Sequence, residues 1–219
     1  MINLKNKQIK NLKINVASGV YVLEDYINYD FSVFFLLSYI PIPSFFFFKY
    51  KNLIDLHRKA RKKAKVVFKN CQKPLKLKNS TVSHILCSHF LEHNTIDVVE
   101  NILRDFYNKL VIGGTLHIIV PNFDNYIETY LKDRENNELA VLEFCKSTIL
   151  IDIKKPKFMK RLLTFIGSFG LMHEIMFNKN FMESLLKQHG FVIIKGESVP
   201  SYEYRKGDDS LHVFSRKIK

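Results

Sequence analysis

The chain has 219 residues, 47% of them hydrophobic, and 34 Lys and Arg against 21 Asp and Glu give it a net charge of +13. That apolar content is ample for one large core, and the charge suits a phosphate-bearing partner or an anionic membrane surface unless it is only a general surplus of solvated lysine. Cys71, Cys87 and Cys145 are odd in number and widely spaced, which argues for reduced thiols in a cytoplasmic protein and against a disulfide framework.

Met1 to Lys13 alternates Lys and Asn with apolar residues and lacks the apolar core of a signal peptide, so no secretion is expected. Leu12 to Ala17 reads as a first strand running into Ser18-Gly19, and Tyr26 to Asp30 as a second strand ending in an acid. A small-residue turn lets backbone amides approach a ligand, and an acid at the next strand end can bind ribose hydroxyls. Only ten residues separate Gly19 from Asp30, too few for a full crossover helix.

Phe31 to Phe48 holds no charged residue, but Pro41 and Pro43 divide it into halves too short to span a membrane. Two short apolar helices, or a helix and a loop, are expected there. They would dock as a flap on the sheet or dip into a membrane interface. The basic stretch from Lys49 to Lys65 follows, which fits an interfacial anchor or a solvated helix face. Residues 31–65 thus form an apolar and basic insertion within a single domain spanning 1–219.

Val66 to Phe68 is a third strand. From Val82 to Pro121 the chain reads as a complete βαβ unit. Val82 to Ser88 and Thr115 to Val120 are its strands, and Ile96, Val99, Leu103, Phe106 and Leu110 share one face of the helix between them. Asn94 is the expected N-cap and Gly113-Gly114 the turn into the second strand. Such a unit implies a mostly parallel sheet, with ligands beyond the carboxyl ends of its strands. The residues to watch are Ser88-His89 and Pro121-Asn122.

Tyr126 to Leu150 looks helical, Lys154 to Lys160 is a basic break at Pro156, and Leu162 to Leu171 is an apolar segment expected over the site. Asn178 can cap a helix through Met182, Leu185 and Leu186 that ends at Gly190. Phe191 to Lys195 and Leu211 to Ser215 supply two last strands.

Ile14 to Gly19 with Tyr26 to Asp30, then Ser88-His89-Phe90-Leu91-Glu92-His93, Leu110 to Leu116 and Val120-Pro121-Asn122, resemble the class I S-adenosylmethionine-dependent methyltransferases. The nearest likeness is to the bacterial branch tied to surface polysaccharide synthesis, with its shortened first crossover and SHxLEH signature. The late stretch from His173 to Phe191 is similar too. The resemblance implies an α/β Rossmann-like sheet, mostly parallel with an antiparallel seventh strand, and S-adenosylmethionine over the first two strand ends. It places Val16, Ala17, Ser18 and Gly19 against the methionine part, Asp30 on the ribose hydroxyls, Asn70 on the adenine side, and Ser88 and His89 closing the site. Relatives usually carry Gly-Cys-Gly where this chain has Ala17-Ser18-Gly19, and the Cβ of Ala17 falls where backbone should approach the ligand or where φ is positive.

Methyl transfer from a sulfonium needs mainly proximity and orientation, with a base only for a hydroxyl acceptor. His89 and His173 are the catalytic candidates, beside His93 and Glu174, with a structural hydrogen-bonding role as the alternative for each. A saccharide or glycan precursor is the acceptor the resemblance implies, in a cytoplasmic enzyme that could sit at the inner membrane face. Three other readings compete: a binding protein that has kept the fold and lost the cofactor, a nucleic-acid methyltransferase suggested by Arg58 to Lys65, and a zinc hydrolase suggested by the H-x-x-E-H of His89 to His93. The last needs the motif inside a helix and a third ligand from another, whereas His89 directly follows a strand. Glu92 and His93 are instead expected to brace the first turn of the helix, with no metal.

Overall fold

The computed structural model describes residues 12–41, 51–150, 172–196 and 209–219. Among these residues seven strands are formed: β1 Leu12–Val16, β2 Ile27–Asp30, β3 Val66–Phe68, β4 Val82–Ser88, β5 Leu110–Val120, β6 Phe191–Ile194 and β7 Leu211–Lys217. They pair in the order β3-β2-β1-β4-β5-β7-β6, parallel from β3 to β5, with β7 antiparallel to both its neighbours. The expected α/β sheet, mostly parallel with an antiparallel seventh strand, is therefore present.

The helices are α1 Val33–Leu37, α2 Lys51–Lys63, α3 Ile96–Lys109, α4 Phe123–Asp133, α5 Ala140–Ser147 and α6 Lys179–Gln188. The apolar faces of α3 (Val99, Ile102, Leu103, Phe106) and α6 (Met182, Leu185, Leu186) are buried in one cluster with Ile14, Val16, Ile85, Leu116 and Ile118 of the central strands. Full burial of each such side chain contributes about 1.5–3 kcal/mol, so this layer dominates the fold. Asn178 caps α6 by accepting from the Phe181 N–H, and Gly190 follows it at φ +86°, both as the sequence predicts.

Between β1 and β2 no helix intervenes. The buried side chains of Asn15 and Asn28, paired in register, hold the connection instead. Asn28 Nδ2 donates to the carbonyls of Leu23, Tyr26 and Lys65, while its Oδ1 accepts from Asn15 Nδ2 at 3.0 Å and the Leu23 N–H at 2.9 Å. Asn15 Nδ2 also reaches the Tyr21 carbonyl. Every polar atom of the Asn28 amide is thereby satisfied in the interior.

The insertion docks on the sheet: Phe35 of α1 and Ala60 of α2 pack with Val22 and Val66. Ser32 caps α1 through the Phe34 N–H. The second apolar half, 42–50, lies outside the described residues, as do 154–160 and 162–171.

Three local expectations are corrected. Asn94 does not cap α3, because its side chain is taken by the Phe90 carbonyl and Gln72; Thr95 precedes the helix. α3 also passes from Lys109 straight into β5, so Gly113 and Gly114 lie inside that strand, where pairing shifts from Val82↔Leu110 to His84↔Thr115. A Cβ on Gly114 would sit 2.9 Å from the Val111 carbonyl oxygen, which is why a glycine is needed there. The helix expected over 126–150 is two, broken where Asn137 turns the chain by accepting from the Leu139 N–H.

Candidate active site

The register of β2, β1 and β4 sets Asp30, Ala17 and Ser88 at neighbouring carboxyl ends. Val16 is fully buried as the last residue of β1. Ala17 then adopts φ +53° and Gly19 φ +53°. For an alanine the left-handed region costs roughly 1–2 kcal/mol, so the turn after β1 is strained at the position where a glycine is usual in the resembling family. Nothing lies within 4 Å of a Cβ placed on Gly19, which leaves open space beside the turn.

Asp30 is 6% exposed. Its Oδ1 accepts from the Ser32 N–H at 2.6 Å, while Oδ2 is buried with no partner. Burial raises the carboxyl above its ordinary value of 3.8, against the N–H groups of Ser32, Phe31 and Gly19 and the nearby His57, which favour the charged form. Ser18 Oγ is likewise buried without a partner. A hydroxyl and a carboxylate oxygen left unsatisfied at adjacent strand ends are what a site for a polyhydroxylated ligand requires.

Asn70 lies in the turn after β3, with its Oδ1 accepting from the Gln72 N–H. Next to it Cys71, buried among Ala17, Asp30 and Lys69, has its thiol pushed up to about 12, chiefly by burial. It is protonated and unreactive at neutral pH. Burial also holds the Cys87 thiol well above its ordinary range.

β4 ends at Ser88, and His89 continues the pairing through its N–H to the Ile119 carbonyl while its φ turns to +50°. A short 3₁₀ turn, Leu91–His93, follows. The turn buries Glu92, 1% exposed, and His89 Nδ1 meets Glu92 Oε1 at 3.2 Å. His89 Nε2 faces Ser210 Oγ at 3.3 Å. Glu92 and His93 therefore do not brace α3; they precede it in a turn of their own.

The segment 172–178 is held over this turn by backbone bonds from the Glu174 N–H to the Glu92 carbonyl at 2.8 Å, and from the Phe123 N–H to the Phe177 carbonyl at 2.9 Å. His173 thus packs on His93, with ring centroids 5.0 Å apart. Burial lowers its pKa, with Glu92 acting the other way and His93 and His89 reinforcing the depression. The structure brings the two catalytic candidates, His89 and His173, to the same buried carboxylate. Glu92, visible in the sequence within the SHxLEH stretch and its H-x-x-E-H spacing but not named there as a site residue, is the centre of that group, and His57 and Ser210 join the site with no local signal at all.

No family profile and no curated protein matches the chain. Solved structures do. A SAM-dependent methyltransferase from Methanosarcina mazei is 15% identical with a TM-score of 0.53, covering 97% of this chain and 94% of its own. A SAM dependent methyltransferase from Archaeoglobus fulgidus is 12% identical with a TM-score of 0.51, covering 95% and 86%. A protein from Pyrococcus horikoshii is 14% identical with a TM-score of 0.53, covering 98% and 84%. At these identities the likeness is one of fold, and the strand order with its antiparallel β7 is the Rossmann-like sheet of class I methyltransferases.

Proposed function

We propose that the chain is an S-adenosylmethionine-dependent methyltransferase acting on a hydroxyl of a saccharide or glycan precursor. The observation that carries the cofactor reading is the buried Asp30 carboxylate, with one oxygen unpartnered at the end of the second strand of a class I sheet. Val16 to Gly19 would line the methionine side, Asp30 would take the ribose hydroxyls, and Asn70 and Ser88 would border the adenine and the reacting end. When bound, the cofactor supplies a methyl group on a sulfonium.

The remaining task is to orient the acceptor and remove its proton. His89 would take that part, a reading supported by Glu92 holding its Nδ1 while Nε2 faces Ser210 Oγ. The glycan acceptor rests on the family resemblance. The exposed lysines of α2, Lys51, Lys59, Lys62 and Lys63, would contribute an electrostatic contact to an anionic surface carrying such a precursor.

Calorimetric titration of the full chain with S-adenosylmethionine and S-adenosylhomocysteine tests the reading. Micromolar binding that Asp30→Ala weakens supports it and licenses a screen of sugar acceptors, in which His89→Gln would lose turnover by roughly 100-fold or more. Folded protein that binds neither compound would show instead a binding protein on a methyltransferase fold, its site closed by Ala17.

A further inference from the structure

The side chains of Glu92, His93 and His173 converge so that one donor atom of each lies within 4.8 Å of the others. Each is primed as a ligand. Glu92 Oε2 is buried with no partner, and so is His173 Nδ1. His93 Nδ1 is 3.0 Å from the Met172 carbonyl oxygen, which can only accept, so the proton sits on Nδ1 and the lone pair of neutral His93 is on Nε2. Bonding one ring nitrogen to a backbone carbonyl is how a metal-binding histidine is usually oriented. The other carboxylate oxygen, Oε1, is held by His89. A buried carboxylate with an orphaned oxygen that, among the described residues, is paired only with imidazole and with no lysine or arginine is costly without a further cation.

We propose that Glu92, His93 and His173 form a binding site for a divalent transition metal, zinc in the first instance, with His89 supporting the carboxylate ligand. Two imidazole nitrogens and one carboxylate oxygen suit zinc or cobalt(II), whereas magnesium and calcium take oxygen donors. Three protein ligands leave a fourth position open. A tetrahedral zinc site places its donors about 3.4 Å apart, so metal binding would draw the three side chains inward by roughly 1 Å. The backbone is already set for this, since the Glu174 and Ile175 N–H groups both bond to the Glu92 carbonyl and fix the two ligand-bearing segments together.

This assignment departs from the zinc-protease use of the same five residues. There two histidines one helical turn apart bind and the glutamate is the base. Here a 3₁₀ turn separates His89 from His93, His89 is turned onto Glu92, and the glutamate becomes the ligand while His173 supplies the third. The site depends on the turn after β4 and not on the cofactor reading, so the two can fail separately.

The test uses the full chain, purified without a metal-affinity tag, stripped with a chelator and dialysed against zinc. About one zinc per chain by elemental analysis, a higher melting temperature with zinc than after stripping, and cobalt(II) bands typical of a four-coordinate nitrogen and oxygen site would support the proposal. Glu92→Gln and His173→Ala should abolish uptake. His89→Ala should retain the metal with affinity reduced roughly 10–100-fold. Wild-type protein that takes up no zinc and shows no shift in melting would overturn the proposal without reliance on any variant. Cobalt–thiolate absorption would overturn it too, by placing the metal on Cys71, Cys87 or Cys145.

Discussion

At Asp30 the ligand binding we propose and the stability of the fold make opposite demands. Its carboxyl is raised above 3.8 in the folded protein, so between that value and its raised value the folded state holds the proton more firmly than the unfolded chain. Stability from this group is therefore present at low pH and lost as pH rises through the window, so above it the carboxyl is a net burden on the folded state. Asp30→Asn should melt higher than wild type at pH 7, with the gap closing as the buffer is taken toward pH 4, while cofactor affinity falls roughly 10–100-fold from the loss of charged hydrogen bonds. Thermal scans at several pH values and calorimetry read the two effects independently. Ala17 gives the complementary case. Ala17→Gly relieves a left-handed alanine but adds unfolded-state entropy, so stability should change by no more than about 1 kcal/mol while S-adenosylmethionine binds more tightly. An unchanged or weaker affinity would mean that the methyl group of Ala17 does not obstruct the site.

At the scale of elements, the connection after β1 depends on one amide. Asn28→Ala would leave the Leu23 N–H without its side-chain acceptor and remove one hydrogen bond each from Asn15 Nδ2 and from the Leu23, Tyr26 and Lys65 carbonyls, and should cost about 3 kcal/mol, read as a fall in the urea midpoint. Periodicity revealed α3 and α6 because each has one buried stripe, and β4 because both its faces are covered. It could not reveal where α3 stops. Its end is set from far away: Lys217 Nζ donates to the Tyr107 and Leu110 carbonyls at 2.9 and 3.0 Å, doing from β7 what a glycine cap does locally. Lys217→Met, which keeps the stem, should lower stability by about 1–3 kcal/mol in the same urea measurement.

For the molecule as a whole, the sites differ in how far apart their parts lie in the chain. Asp30, Ala17 and Ser88 sit at strand ends, so a correct strand reading places them. The grouping around Glu92 needs His173, brought in by backbone bonds to Glu92 and Ile149, and Ser210, brought in where β7 pairs with the end of β5, and no local pattern encodes either. The insertion was legible as apolar and basic, with docking on the sheet as one of two expected outcomes, and that is the one its described part takes: Phe34 and Phe35 turn inward, and among the described residues no helix is long and apolar enough to cross a membrane. α2 presents Lys51, Lys59, Lys62 and Lys63 outward, so if the anionic-surface contact we propose is electrostatic, co-sedimentation with anionic vesicles should be lost by about 0.5 M salt, because screening shortens electrostatic reach to a few ångströms. Retention at high salt would instead implicate apolar insertion. The helix-free link between β1 and β2 also has a kinetic consequence. Ile14 and Ile27 pair although they are only 13 positions apart in sequence, so this parallel contact closes a far shorter loop than β1 with β4, where Ile14 meets Ile85. A parallel sheet ordinarily gathers its strands across long loops and folds slowly for that reason. Here the β1–β2 edge can form first and template β4, so Asn28→Ala should slow refolding nearly in proportion to its loss of stability while leaving the unfolding rate almost unchanged.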